Sequence, residues 1–384
     1  MQRNYEKLTV ICFCALLLLL SVAFLVIPDK DFSEQENRSL QQAPELDSES
    51  FFSGKFSETI NLYFADQFPL RDLFMKIKSS TELGFLKGEN NGVLYSKGQL
   101  AVKNFKPFRS ALEEPAETDR IYLDMVELQA KTIDKLASKL DIPFVTIIPP
   151  RTIDIADSAF SYDRPDGDKL FEIFESRLSS SAGYIDTLTL LRDKYEAGEY
   201  VYYKTDHHWT TLGAYYVYCE TMRQLGKEDA IIGMDEFEIE YIENFSGTTY
   251  SKAGFLTYQR DTLEIWHLPD DEDYKIVSDG VEENEFYERD FLDKSDKYAV
   301  FFGGTKAITT ITKEGSERET LLIAKDSFAN SLIPFLAREF DIVAVNLATN
   351  ASISALAEFY EADAVMIVFN AENVITTGHL GKLY

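Results

Sequence analysis

The sequence predicts an α/β protein: a mostly parallel sheet covered by helices on both faces, in three α/β/α layers. Short apolar runs alternate with segments of helical periodicity along most of the chain, and runs such as Val365-Met366-Ile367-Val368 lack polar alternation. Strands of that kind are buried on both faces, as in a parallel sheet between helical layers. The 384 residues, 45% hydrophobic and 13% aromatic, can bury a full core as one large domain or two modest ones.

The N-terminal segment reads as a membrane span. Leu8 to Ile27 is 20 residues without a charge, and at about 1.5 Å per residue it crosses about 30 Å of hydrocarbon. Arg3 and Lys7 precede it and Asp29, Lys30 and Asp31 follow. The positive-inside bias therefore puts residues 1–7 in the cytoplasm and the bulk of the chain outside the membrane. Ser21-Val22-Ala23 resembles a signal-peptide cleavage site, but cutting there would leave Phe-Leu-Val-Ile at the new terminus. An uncleaved anchor over residues 8–27 fits better.

Residues 28–50 are polar and turn-rich, as a tether away from the bilayer would be, and residues 51–384 are expected to form the folded domain. Phe56, Ile60 and Phe64, then Leu70, Phe74 and Ile77, recur at helical spacing on either side of Phe68-Pro69. This predicts two amphipathic helices whose Phe and Leu stripe packs into the core. Gly88 to Gly98 reads as a strand between turns.

The α/β alternation then begins, with a helix from about Thr118 to Leu140 and a strand from Ile142 to Ile148 that ends at Pro149-Pro150. Helices follow near 168–180 and 188–196, with a short strand at Tyr184-Ile185 between them, and another helix runs from Thr211 to Leu225. Near the C-terminus come strands at Leu321–Ala324, Ile342–Val345 and Ala364–Phe369, separated by helices from Phe328 to Ala337 and near 352–360. Residues 232–318 differ, being acidic and aromatic, with β-like runs at Phe237–Tyr241, Leu263–His267 and Tyr298–Phe302. They read as an inserted set of antiparallel strands, one use of which is an active-site rim.

Charge and cysteine content exclude some classes. With 38 Lys plus Arg against 65 Asp plus Glu, the formal charge is -27, which repels a phosphate backbone and removes nucleic acid from the expected partners. The same acidity serves as a solubility device. Cys12 and Cys14 lie within the span, so Cys219 is the single cysteine beyond it and no intrachain disulfide framework is available there. Nothing in the residues asks for a cofactor.

The chain has four histidines, and two of them, His207 and His208, stand side by side behind Asp206. An Asp two residues before a His on a loop can turn back onto the ring Nδ1–H and fix its tautomer, leaving Nε2 as a general base. Thr210 or Thr211 can cap the helix that follows, so Asp206 to Trp209 occupy the loop at its N-terminal end. Capping by Asp206 is the competing use. Metal ligation by Asp206, His207 and His208 is another, although adjacent side chains diverge and no spaced Cys or His set completes a site.

The nucleophile candidate is Ser327, in Ala324-Lys325-Asp326-Ser327-Phe328, where a buried strand runs into a helix. At a helix N-terminus, free N–H groups and the dipole can hold an oxyanion, while an ordinary N-cap serine occupies the same place.

Together these segments resemble the DHHW protein family and, more distantly, the SGNH-hydrolase-like domains of alginate O-acetylation proteins. Thr205-Asp206-His207-His208-Trp209 is similar to the family's Asp-x-His-Trp motif, and Asp326-Ser327-Phe328 to its Asp-Ser-aromatic block. Weaker likeness runs through Glu36-Asn37-Arg38, Asp66 to Arg71 and Ile147 to Pro150. The order of the two blocks is that of the alginate proteins, the reverse of ordinary SGNH esterases. Lys325 stands where the family has Gly before Asp-Ser, and no Gly-x-Asn-Asp block supplies a second oxyanion donor.

The resemblance implies an SGNH-hydrolase-like fold and a catalytic triad of Ser327, His208 and Asp206 that moves acetyl groups onto a polysaccharide or oligosaccharide hydroxyl. It also implies a multispanning membrane acyltransferase as acetyl supplier. A carbohydrate esterase would use the same triad, and a non-catalytic glycan-binding or assembly protein could keep the same fold. His207 and Trp209 would shape the substrate site, Trp209 by stacking on a sugar ring or by simple packing. Asn370 and Arg151 are further contributors by position alone.

Overall fold

A computed structural model describes residues 2–33, 38–85, 87–96, 98–103, 117–160, 167–256, 258–283, 285–313, 315, 317–349 and 351–383. Glu36 and Asn37 of the family-like segment lie outside the described residues. The chain divides into two compact units, Met1–Asn91 with Ser251–Tyr258, and Gly92–Tyr250 with Gln259–Tyr384.

In the first unit, α1 (Gln2–Val26) contains a stretch, Tyr5–Val26, that is long and apolar enough to cross a membrane. After the short helix Ser48–Phe52 come two longer ones, α2 (Lys55–Asp66) and α3 (Arg71–Gly84). Part of the polar segment 28–50 is bonded to the end of α2. The Arg38 guanidinium forms a fork on Asp66 at 2.8 and 2.6 Å, Gln41 N–H donates to the same carboxylate, and the Gln67 amide bonds the main chain at Lys30 and Gln41. Arg38 also holds the Asp66 carboxyl down at a pKa of about 2.

The expectation that the α2–α3 stripe is core packing is overturned. No residue of α2 and only Ser79 of α3 is buried, while Phe64, Phe74 and Ile77 are 50%, 45% and 45% exposed. An amphipathic stripe is buried only where another apolar layer meets it. Phe24 meets the stripe at Phe64, while Phe74 and Ile77 keep nearly half of their surface exposed.

The second unit is built on one eight-stranded sheet. Its strands are β1 (Phe144–Ile147), β2 (Tyr184–Ile185), β3 (Tyr274–Ser278), β4 (Val281–Glu283), β5 (Ile308–Lys313), β6 (Thr320–Lys325), β7 (Asp341–Asn346) and β8 (Ala364–Val368). Their spatial order is β4-β3-β5-β7-β6-β8-β1-β2. The pairs from β7 through β2 are parallel, and β4, β3 and β5 extend the other edge antiparallel. Successive residues Leu321, Leu322, Ile323 and Ala324 are all fully buried. Neighbouring strand residues point to opposite faces, so both faces of β6 are covered, as the unbroken apolar run predicts. Val126, Ala130, Ile133 and Ala137 of the helix Glu117–Leu140 supply one covering stripe.

The acidic stretch 232–318 divides into two parts. Glu238–Phe245 and Asp261–His267 pair as a separate antiparallel ribbon, whereas β3, β4 and β5 join the main sheet. Tyr298–Phe302 is not the expected strand: Lys297–Val300 is a 3-10 turn that places Tyr298 in the core. The helix expected from Phe328 to Ala337 is also broken, into a 3-10 turn Ser327–Ser331 and a short helix Ile333–Leu336, with Pro334 at its start.

Candidate active site

Ser327 lies just past the carboxyl end of β6, the strand flanked by β7 on one side and β8 on the other. Open α/β sheets place reactive groups at that edge. Asp326 shapes the turn. Its Oδ1 accepts the Phe328 N–H at 3.0 Å, and its Oδ2 accepts the Asn370 N–H, the Asn370 amide and the Asn373 amide at 2.7, 2.8 and 2.9 Å. Burial raises the Asp326 pKa against these donors. Every neighbour from Leu321 to Ser331 is buried, and Ser327 alone among them is half-exposed. Because the turn is 3-10 and only five residues long, the expected long-helix dipole behind Ser327 is not available, and its local N–H groups carry any oxyanion role.

The histidine arrives on a tight loop. Val201 to Thr210 doubles back, with Thr210 N–H bonded to Val201 O at 2.9 Å and a bridge between Tyr202 and Trp209. Thr210 caps the helix Thr211–Gln224 by accepting the Gly213 N–H, so the cap is Thr210 and Asp206 is left for another use. A Cβ at Gly213 would sit 2.4 Å from Val201 O, which is why glycine is needed where helix and loop meet.

Within the loop, Asp206 Oδ1 accepts both the His208 main-chain N–H at 3.0 Å and the ring Nδ1–H at 2.6 Å. His208 Nε2 then faces Ser327 Oγ at 2.8 Å. With Nδ1 protonated toward the carboxylate, Nε2 is the acceptor for the serine proton. Asp206 is fully buried. Burial pushes its pKa up, but His207, His208 and the Thr248 N–H outweigh it and hold the carboxylate well below its usual range. The side-chain ligand atoms of Asp206, His207 and His208 lie within 4.8 Å of one another. Both ring nitrogens of His208 are nevertheless turned to Asp206 and Ser327, and His207 Nδ1 is 2.8 Å from Thr248 Oγ1.

The remaining candidates fall into supporting places. Trp209 is fully buried, its indole N–H donating to Ser331 Oγ at 3.0 Å, so of its two expected uses packing is the one its burial permits. His207 sits at the rim with a side chain 40% exposed; partial burial and the neighbouring His208 push its pKa below the ordinary value. Asn370 spends its amide on Asp326 and the Asn373 N–H, and Arg151 grips Asp154 with Nε and Nη2 at 2.8 and 2.7 Å. In these contacts Asn370 and Arg151 act on the scaffold.

Four residues that sequence reasoning missed complete the site. Thr248 donates its N–H and Oγ1–H to Asp206 Oδ2 at 2.7 and 2.9 Å. Gly247 passes so close that a Cβ there would lie 2.2 Å from the Asp206 Cβ. Asp261 accepts from Thr205 N–H, Thr205 Oγ1–H and Lys204 N–H at 2.7, 2.5 and 3.1 Å, and from the Tyr200 hydroxyl, pinning the loop. Tyr298 stacks on the His208 ring and shares Ser331 Oγ with Trp209.

A family model described as DHHW protein matches residues 87–346, more than half of the chain and both halves of this site. The chain belongs to the DHHW protein family. A DHHW family protein from Eubacterium siraeum has the same fold, at 17% identity and TM-score 0.59, covering 76% of this chain and 95% of its own. Bacillus cereus PatB1, whose structure carries a sulfonyl adduct, is similar at 17% identity and TM-score 0.60 over 75% of this chain and 96% of its own. The O-acetyltransferase domain of Pseudomonas putida AlgJ superposes more loosely, at 12% identity and TM-score 0.44 over 74% of this chain and 93% of that one. No match was found among curated protein sequences. Asp206 to Trp209 of this DHHW protein spell Asp-His-His-Trp, so the loop that carries His208 also spells the four letters of the family's description.

Proposed function

We propose that this DHHW protein is a membrane-anchored, extracytoplasmic O-acetyltransferase that acylates a cell-envelope or secreted polysaccharide through Ser327, His208 and Asp206. The observation that carries this reading is the unbroken line from Asp206 Oδ1 to His208 Nδ1 and from His208 Nε2 to Ser327 Oγ, at 2.6 and 2.8 Å. The apolar stretch Tyr5–Val26 supports the anchor, with the domain from residue 51 onward outside the membrane.

Ser327 Oγ attacks the acetyl carbonyl carbon while its proton passes to His208 Nε2, and hydrogen-bond donors hold the oxyanion. The Ser327 N–H is the donor of the turn assigned to the oxyanion, since the Phe328 N–H is given to Asp326, and a second donor completes the pair. Collapse breaks the bond to the donor's leaving group, which departs with that proton and leaves acetyl-Ser327. A sugar hydroxyl then gives its proton to Nε2 as its oxygen takes the acetyl group, and Ser327 leaves reprotonated. Asp206 fixes the His208 tautomer and balances the imidazolium in both halves. A multispanning acyltransferase would supply acetyl groups from across the bilayer.

The test compares the full chain with Ser327→Ala and His208→Ala in nitrophenyl acetate hydrolysis and in acetyl transfer to oligosaccharides. Transfer exceeding hydrolysis, lost in both variants, supports the transferase. Hydrolysis without transfer makes the protein an esterase, and neither reaction from folded protein makes it a glycan-binding protein.

A further inference from the structure

We infer that the apolar face of α2 and α3 docks on the outer surface of the bilayer, so that this unit lies in the lipid interface beside the span; this rests on reading α1 as an uncleaved anchor. Leu73, Phe74 and Ile77 share one face of α3, Ile77 standing four and three positions after the other two, and Leu70 precedes them as the residue at the helix N-cap. Leu70, Leu73, Phe74 and Ile77 are 61%, 45%, 45% and 45% exposed. Phe64 and Phe68 continue the patch at 50% and 42%. Monomeric soluble proteins rarely leave so many large apolar groups together in water.

What covers this face follows from where the unit is tied. Phe24, in the last turns of α1, packs against Tyr63 and Phe64 of α2 with ring centroids 5.7 and 5.2 Å apart. Tyr63 OH donates to Asp29, and the Gln67 amide nitrogen donates to Lys30 O. The end of α2 is thereby fixed to the end of the apolar helix, which a spanning α1 places at headgroup depth. Beyond the end of α2, Phe68 packs against Phe74 of α3 with ring centroids 6.0 Å apart. The patch is thus an extension of the lipid-facing surface of α1. Amphipathic helices with aromatic and leucine faces rest in that layer, with the apolar side about 5–10 Å into the headgroup and acyl boundary.

The test uses the full chain in nanodiscs of phosphatidylethanolamine and phosphatidylglycerol carrying a phospholipid with a photoreactive diazirine, placed near the headgroup or deep in the acyl chain. Labelled positions are mapped by peptide mass spectrometry. The expected result is that the deep probe labels α1 alone, and the shallow probe also labels residues 64–77. A chain with Leu70→Gln, Leu73→Gln, Phe74→Gln and Ile77→Gln, all at exposed positions, loses the shallow labelling of α3 and keeps that of α1. If α1 is labelled and residues 64–77 are not, the proposal is overturned while the anchor stands, and the face is left for a protein partner. Absence of labelling in α1 as well overturns the anchor reading and this inference together.

Discussion

The phenol ring of Tyr298 lies flat on the imidazole of His208, with centroids 3.7 Å apart and planes 7° from parallel. Its hydroxyl is held by Ser331 Oγ at 3.1 Å, so the ring forms a wall along one face of the imidazole. An aromatic pair of this kind contributes about 0.5–1.5 kcal/mol. Tyr298→Leu is expected to lower kcat for nitrophenyl acetate about two- to tenfold, while Tyr298→Phe keeps the stack and most of the rate. Equal losses in both variants would remove stacking as the reason.

Thr248 is expected to matter through Asp206. Thr248→Val keeps the main-chain N–H but removes the hydroxyl donor to Oδ2. A hydrogen bond to a buried charge is worth about 1.5–3 kcal/mol, so kcat should fall on the order of ten- to a hundredfold, with Thr248→Ser restoring it. Unchanged kcat in the valine variant would show that Asp206 needs only the main-chain donor.

Gly247→Ala tests placement without touching a polar group. The added carbon would overlap Asp206, and displacing a reacting group by about 1 Å can cost on the order of a hundredfold in rate. The expected signature is a kcat loss of that size with a thermal midpoint lowered only slightly. Wild-type activity would mean that the Gly247 segment yields freely and does not position Asp206.

Lys325 gives a pH dependence. Burial lowers its pKa from 10.5 to about 8, and its Nζ donates to Asn330 Oδ1 at 2.5 Å. Between the two values the unfolded chain holds a proton that the folded chain has released, so stability rises with pH across that window, and the penalty is fully present below it. Lys325→Met lacks this titration. Thermal denaturation from pH 7 to 10 should show the wild type gaining on the variant, by on the order of 1–3 kcal/mol. Parallel curves would show that Lys325 keeps an ordinary pKa.

The parts of the fold that could be read from the sequence were those with local signals. Val365 to Val368 announced a two-sided strand because every residue is apolar, and the Asp206–His208 pair stood out because histidine is scarce in this chain. Ser327 is legible as a candidate because a strand ends just before it. Thr248, Gly247, Asp261 and Tyr298 give no such signal, since they reach the loop from 37 or more positions beyond its end at Thr210 and belong to types common throughout the chain. The α2–α3 stripe was correctly periodic, but periodicity reports which side is apolar and is silent on what covers it. Tyr298–Phe302 looked like a strand because aromatic runs favour one, yet its packing on His208 and Ser331 is met by a 3-10 turn.

Asp261, Thr248 and Tyr298 all come from the inserted stretch expected only to rim the site. Their side chains fasten the loop, the carboxylate and the imidazole in turn, so the geometry of the candidate site and the inserted stretch cannot be exchanged separately. A pared-down scaffold keeping β1, β2, β6, β7 and β8 would retain Ser327 and His208 by name and lose their alignment. Redesign of the site should therefore leave these three anchors in place and vary the residues around half-exposed Ser327 and His207.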